Sequence, residues 1–296
     1  MTDPCTPVTV EGADGARLVA CAHGGHVLGW TPAGGRERLW VSPDAACGPG
    51  KAIRGGIPVV FPQFSDRALP DAEPLPKHGL ARDRAWTQEE AGGGPGGPGG
   101  PGGPARWRAS IADDEQTRAI WPRRFGLALT ATASGPRLEV VLEVSNRDDQ
   151  AWTFAAALHT YLAVGHEDTE ISGLGGLPAE ENAAPGSLKP LDDHPLPALE
   201  ARDIAVHGVG GTVVLRDPVL GTVRMAGDGF TDRVVWNPGA GGRPADIPPG
   251  GEQQFVCVEP AILTAVRLGP GESWAARQVL EVDITDTQHG RATRRS

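Results

Sequence analysis

No run in this chain approaches the ~18 consecutive apolar residues that a membrane-spanning helix needs. The opening residues, M-T-D-P-C-T-P, also lack the basic-then-apolar order of a secretion signal. A cytoplasmic protein that engages no membrane is therefore expected. Cysteine is scarce, and Cys5, Cys21, Cys47 and Cys257 are scattered without C-x-x-C spacing. That pattern argues against a zinc site or a disulfide framework and leaves reduced structural thiols as the expectation. Basic residues number 27 against 37 acidic ones, for a formal net charge of −10. A nucleic-acid partner would need an extended basic face, so none is expected. No stretch sustains the 3.6-residue apolar period of a long amphipathic helix.

What the chain does have is many short apolar pieces separated by turn chemistry. Val8–Val10, Leu18–Cys21, Val27–Trp30 and Leu39–Val41 alternate with E-G-A-D-G, H-G-G and P-A-G-G, a meander of strands. His23 and His26 flank the glycine corner there and read as solvated turn residues. Arg137–Asn146 is the clearest strand, with Leu138, Val140, Leu142 and Val144 on one face. Hairpin logic pairs it with Trp152–Val164 across N-R-D-D-Q. D-D-E-Q-T-R-A-I-W at 113–121 reads as a turn, and residues 165–200 as a long surface connection. Further strands are expected at Thr212–Arg216, Gly221–Met225, Arg233–Trp236, Gln253–Glu259 and Ser273–Val282. The count favours an all-β fold, a large antiparallel β-sandwich in one domain of 296 residues. The Gly-Pro tract at 92–104 lacks collagen's strict period and reads as a flexible hairpin insertion.

One stretch breaks the acidic balance. Arg54–Arg84 gathers Arg54, Lys77, His78, Arg82 and Arg84 among prolines and glycines that cannot continue a helix, so it reads as a charged loop. Such loops bind small anions at clefts. The cluster is small enough for one phosphate; surface salt bridges to Asp66, Asp71 or Asp83 are the other reading of its arginines.

Two residues elsewhere suit proton chemistry. His159, in F-A-A-A-L-H-T-Y-L, alternates onto the face of Ala155, Ala157 and Tyr161, where small neighbours leave room for a flat sugar or for a packed opposing sheet. Glu259 follows the apolar F-V-C-V, and Pro260 is expected to stop the strand because it cannot donate to a ladder. A carboxylate there either faces solvent or, partly desolvated, serves as a base near neutral pH.

The motif R-G-G-I-P-V-V-F-P-Q-F, followed by L-P-K-H-G-L-A-R-D-R-A-W, resembles the hexose-6-phosphate mutarotases, a branch of the aldose 1-epimerase superfamily. L-H-T-Y-L at 158–162, D-R-V-V-W-N-P at 232–238, F-V-C-V-E-P at 255–260 and L-G-P-G-E-S-W at 268–274 follow in the same order. The resemblance implies the galactose-mutarotase-like supersandwich. It implies an enzyme that interconverts the α and β anomers of a hexose 6-phosphate, with a small sugar phosphate as its partner and neither cofactor nor metal; a monomer is expected. Carried over residue by residue, it makes Glu259 the base that takes the C1 hydroxyl proton and His159 the acid that protonates the ring oxygen. His78 becomes a sugar ligand near that oxygen, Arg54 and Arg82 phosphate ligands, and Asp203 an acceptor of sugar hydroxyls.

The chain departs from the family at three points. Lys77 replaces the usual Gln, Val206 replaces a Tyr after Asp203, and G-A-G-G-R-P follows Asn237-Pro238, leaving Asp246 a supporting role. The competing functions are an epimerase of unphosphorylated aldoses such as galactose, sharing His159 and Glu259, and a carbohydrate-binding protein without catalysis.

Overall fold

In a computed structural model, residues 3–94 and 103–283 are described. The fold is nearly all β, and every strand ladder is antiparallel in two large sheets and one small one. The nine-stranded sheet has the spatial order Leu196–Pro197, Glu170–Ser172, Val213–Asp217, Gly221–Asp228, Ser273–Val282, Arg137–Asn146, Phe125–Ser134, Gly103–Ala112, Thr87–Gly94. The eight-stranded sheet runs Lys189–Pro190, Pro178–Glu181, Arg202–Val206, Asp232–Asn237, Phe255–Leu268, Trp152–Leu158, Val59–Val60, with Tyr161–Ala163 also paired to Phe255–Leu268. Val8–Glu11, Arg17–Cys21 and His26–Thr31 form the three-stranded sheet.

Alternation in Arg137–Asn146 is realised as expected: Leu138, Val140, Leu142 and Val144 are buried while the residues between them are half-exposed. Its partners differ. It lies between Phe125–Ser134 and Ser273–Val282, whereas Trp152–Leu158 belongs to the other large sheet. The N-R-D-D-Q turn is a crossover between layers, held by Asn146 Nδ2 donating to the Gln150 and Leu268 carbonyls at 2.9 and 3.0 Å. Between the layers, Phe61, Trp121, Phe125, Trp152 and Phe154 pack edge-on or tilted in a fully buried cluster. Thr160 Oγ1 donates to Gln278 Oε1 across the layers at 2.9 Å.

Other expectations are corrected. Residues Glu115–Ile120 form a short helix, because Asp114 and Thr117 make a reciprocal capping box. The stretch 165–200 contributes four short strands and buries Ile171, Leu174, Ala179 and Ala198. Leu39–Val41 makes isolated bridges instead of a strand. His23 and His26 are buried, their Nε2 atoms each 2.7 Å from a carbonyl, of Lys51 and Gly55 respectively. Cys5 and Cys47 are joined in a disulfide; only Cys21 and Cys257 are free thiols. The two sulfurs meet across 42 residues of sequence, a separation that spacing rules do not read. Of the Gly-Pro tract, 92–94 and 103–104 lie in paired strands, and 95–102 lie outside the described residues.

Candidate active site

Register in the eight-stranded sheet lines up one row of side chains. Tyr161 stands opposite Cys257, Cys257 opposite Trp236, and Trp236 opposite Asp203. Two residues along, Glu259 pairs with Val234, and His159 lies beside Glu259. Period-two alternation puts these residues on the face turned away from the nine-stranded sheet, which Thr160 faces instead.

Pro260 does not end its strand. Phe255–Leu268 runs through it, with Pro260 paired to Arg233. The nitrogen of Val258 donates to the Thr160 carbonyl, and the nitrogen of Pro260 faces the same side two residues on. There the neighbouring chain leaves the ladder between Leu158 and Tyr161. A residue without a donor thus sits where no acceptor is offered, and the irregularity is what presents His159.

The cationic stretch is less free than a loop. Val59–Val60 pairs with Leu158 and Ala157, and the carbonyls of Pro58 and Gly56 accept from His159 and Tyr161 N–H, both at 2.9 Å. The loop and the His159 segment therefore position each other. Close approach of this kind requires Gly56, at φ +63°, where a Cβ would lie 2.3 Å from the Val27 carbonyl oxygen.

All seven residues proposed from the sequence, Arg54, Lys77, His78, Arg82, His159, Asp203 and Glu259, line one cavity of about 210 Å³. Its volume suits a single small ring. A larger recess of about 930 Å³ lies around Asp3, Cys5, His23, Arg84 and Gln116, and none of the seven lines it. Convergent, perturbed titratable groups make the smaller cavity the candidate site. Arg84, part of the same cationic stretch, turns to the larger recess and donates to Gln116.

On the floor, His159 Nδ1 is 3.3 Å from Glu259 Oε1. Neither His159 Nδ1 nor Glu259 Oε2 has a hydrogen-bond partner among the described residues, although both are buried. Burial pushes the Glu259 carboxyl well above the ordinary carboxylate range; the charge of Asp203 adds to this and Arg82 opposes it. Burial likewise holds the His159 imidazole well below its usual value, aided by His78, Arg82 and Arg54. The site thus disfavours charge on both members of the pair.

His159 stacks on Tyr161, with ring centroids 4.9 Å apart and planes at 9°, and meets the edge of Trp236 at 5.8 Å. His78 has φ +65° and Ser65 φ +50°, and two hydrogen bonds tie these strained residues together. His78 N–H donates to the Ser65 carbonyl at 3.0 Å, and Ser65 N–H donates to His78 Nδ1 at 3.3 Å. Because Nδ1 accepts, the ring proton of His78 resides on Nε2, making it a neutral donor. Burial keeps it neutral, with Arg82, Lys77 and Arg54 acting in the same direction.

The three cations differ. Arg54 Nε donates to both Asp246 oxygens at 3.1 Å and its Nη1 to Tyr161 Oη at 3.0 Å. Burial works against its charge, yet Tyr161 and Asp246 outweigh burial and raise its pKa. Its carboxylate partner is thus Asp246, in place of Asp66, Asp71 or Asp83. Arg82 makes no ion pair among the described residues, and its one hydrogen bond goes to the Lys77 carbonyl at 3.3 Å. Lys77 is exposed and its ammonium has no partner among the described residues.

Asp203 accepts from Asn182 Nδ2 at 2.5 Å. Asn182 in turn accepts from Arg67 at 2.8 Å, and Arg67 pairs with the buried Glu180 at 2.8 Å. Sequence reasoning missed Asn182, Trp236, Phe64, Ser65 and Pro244 as lining residues. The register of Trp236 one strand away from Cys257 and Glu259 was the available signal; Asn182 lies in the segment read as a connection.

Comparison with known proteins identifies the family. Residues 7–281 match the family model described as aldose 1-epimerase. A candidate glucose-6-phosphate 1-epimerase of Escherichia coli K12 is 32% identical over 256 residues, covering 80% of this chain and 77% of the relative. One from Cenchrus ciliaris is 28% identical, covering 92% and 83%. Among solved structures, a candidate mutarotase from Salmonella typhimurium superposes with a TM-score of 0.77 at 25% identity, covering 90% of this chain and 88% of that one. A galactose mutarotase related enzyme from Lactobacillus acidophilus shares the fold, with a TM-score of 0.73 at 17% identity and coverage of 95% and 98%. The chain belongs to the aldose 1-epimerase family.

Proposed function

We propose that the protein is a hexose-6-phosphate 1-epimerase, with glucose 6-phosphate as the probe substrate of choice. The observation that carries this reading is Arg82, a guanidinium without a carboxylate partner among the described residues, beside the unpartnered Lys77 and above the His159–Glu259 floor. An unpaired cation in a half-buried position calls for an anion, and a guanidinium suits phosphate. The relatives named for glucose 6-phosphate support the same substrate.

In the reaction, Glu259 removes the proton of the C1 hydroxyl while His159 protonates the ring oxygen, and the ring opens to the aldehyde. Rotation about C1–C2 presents the other carbonyl face, and reversal of both transfers closes the opposite anomer. His78 Nε2–H donates to the sugar and Asp203 accepts from its hydroxyls. Each proton transfer contributes about 10²–10⁴ in rate, and fixing the sugar supplies much of the rest.

A second reading, an epimerase of unphosphorylated aldoses, is favoured by the engagement of Arg54 with Asp246 and Tyr161, which removes one arginine from the phosphate set. Anomer exchange measured by NMR on glucose 6-phosphate, glucose and galactose under identical conditions separates them. Preference for the phosphorylated sugar is expected; equal or faster exchange of galactose would replace the proposal with the second reading.

A further inference from the structure

Two residues of the cavity floor, His159 and Glu259, meet a third donor, Cys257, which does not itself line the cavity, and anomer exchange has no need of the three as a set. A ring nitrogen of His159, the sulfur of Cys257 and a carboxylate oxygen of Glu259 all lie within 4.8 Å of one another. The sheet dictates this. Cys257 and Glu259 are two apart on one strand, and the neighbouring segment places Tyr161 opposite Cys257 and His159 beside Glu259. All three residues are buried, at 5%, 0% and 1% exposure for His159, Cys257 and Glu259. Two of the donor residues have orphaned atoms, His159 Nδ1 and Glu259 Oε2. The 3.3 Å between His159 Nδ1 and Glu259 Oε1 is close to the edge of a tetrahedron around an ion with bonds of ~2.0–2.1 Å.

We propose that His159, Cys257 and Glu259 form a Zn²⁺ site that competes with the sugar. A mixed nitrogen, sulfur and oxygen set suits zinc and disfavours magnesium or calcium, which take oxygen ligands. Three protein ligands leave a fourth position for water or another ligand. On binding, the Cys257 thiol and the Glu259 carboxyl each release a proton to solvent, and the thiolate and carboxylate take up the metal, whose charge drives both ionisations despite burial. The ion then occupies both groups assigned to proton transfer, so its inhibitory effect rests on the proposed function while its binding does not. The other sulfur–imidazole cluster, Cys5, His23 and Cys47, has both sulfurs committed to the disulfide.

The test is a titration of the full chain with CoCl₂ and then ZnCl₂, without reductant. Cobalt should give a thiolate-to-metal charge-transfer band that zinc abolishes. Cys257→Ser should lose the band and bind zinc at least about tenfold more weakly, the loss that even an outer-shell change produces. Cys257→Ala serves if the serine is not tolerated in the buried position. With glucose 6-phosphate, zinc should raise KM and leave kcat unchanged in the wild type, and act at least tenfold more weakly on the Cys257 variant. No charge-transfer band in the wild type overturns the proposal. So does a band that survives in both Cys257 variants but disappears in a Cys5→Ser, Cys47→Ser double variant. If the chain turns over no sugar phosphate at all, the cobalt spectra still decide the metal site.

Discussion

Arg82 donates to the backbone carbonyl of Lys77 at 3.3 Å, so the two unpaired cations of the cavity hang from a single turn. A phosphate bound there would meet both at once. Charge-assisted contacts contribute about 1.5–3 kcal/mol each. Arg82→Ala should therefore lower kcat/KM for glucose 6-phosphate by roughly tenfold to more than a hundredfold, at ~1.4 kcal/mol per decade. Exchange of free glucose or galactose should change little, and added salt should depress only the phosphorylated sugar. Equal losses on neutral and phosphorylated sugars, read by NMR exchange, would reassign Arg82 to the ring.

Arg54 should behave differently, because Asp246 and Tyr161 depend on it. Arg54→Ala leaves the Asp246 carboxylate without its partner, and it should impair all sugars and lower the melting temperature together. A loss confined to phosphorylated sugars, with unchanged melting, would contradict this.

His159→Ala and Glu259→Gln should each abolish most anomer exchange, by about 10²–10⁴ if each group carries one proton transfer, with the fold retained by circular dichroism. Near-normal exchange above the uncatalysed background in either variant would refute the mechanism.

The pKa directions make two pH statements. Glu259 must ionise and His159 must take up a proton, while burial raises the first and lowers the second. These directions make the ionised-Glu259, protonated-His159 form a minor one at every pH, so kcat/KM should follow a bell of reduced height whose acid limb belongs to the lowered His159 value and whose basic limb belongs to the raised Glu259 value. For stability, a carboxyl whose folded pKa lies above its unfolded value contributes fully at low pH and loses that contribution as pH rises through the folded pKa. Glu259→Gln cannot ionise. Its melting temperature should exceed that of the wild type at about pH 9, and the difference should shrink toward about pH 4. A constant offset across that range would contradict the raised pKa.

Gly79→Ala should destabilise the protein by more than ~1 kcal/mol. Gly79 has φ +75°, and a Cβ would lie 2.0 Å from the Phe61 carbonyl oxygen. The displacement would reach His78 next to it, so chemical denaturation and kcat/KM should fall together.

The membership of the candidate site was more legible in this chain than the pairing of its strands. His159, Glu259 and the cations could be placed by ordered motifs and residue type, and all reach one cavity. Strand partnership could not, because it is non-local. Arg137–Asn146 has the period of a strand whichever neighbour it takes, and its true partner Phe125–Ser134 is rich in alanine and threonine and escaped notice. Pro260 misled for a related reason. The rule that proline ends a strand assumes an acceptor opposite its nitrogen, and here the neighbouring chain has left the ladder. The Asp246 partner of Arg54 lies 192 residues away, beyond any local inference.

The disulfide between Cys5 and Cys47 makes residues 5–47 a closed covalent ring that contains the whole three-stranded sheet. A ring cannot fray from its end. That sheet touches the His159 segment through a short relay, Ile57 N–H donating to the Val27 carbonyl at 2.8 Å and His159 N–H to the Pro58 carbonyl at 2.9 Å. Peeling the sheet away would loosen the relay, so with the ring intact the amide protons of His26–Thr31 and those around Ile57 and His159 should exchange with solvent in one slow cooperative unit.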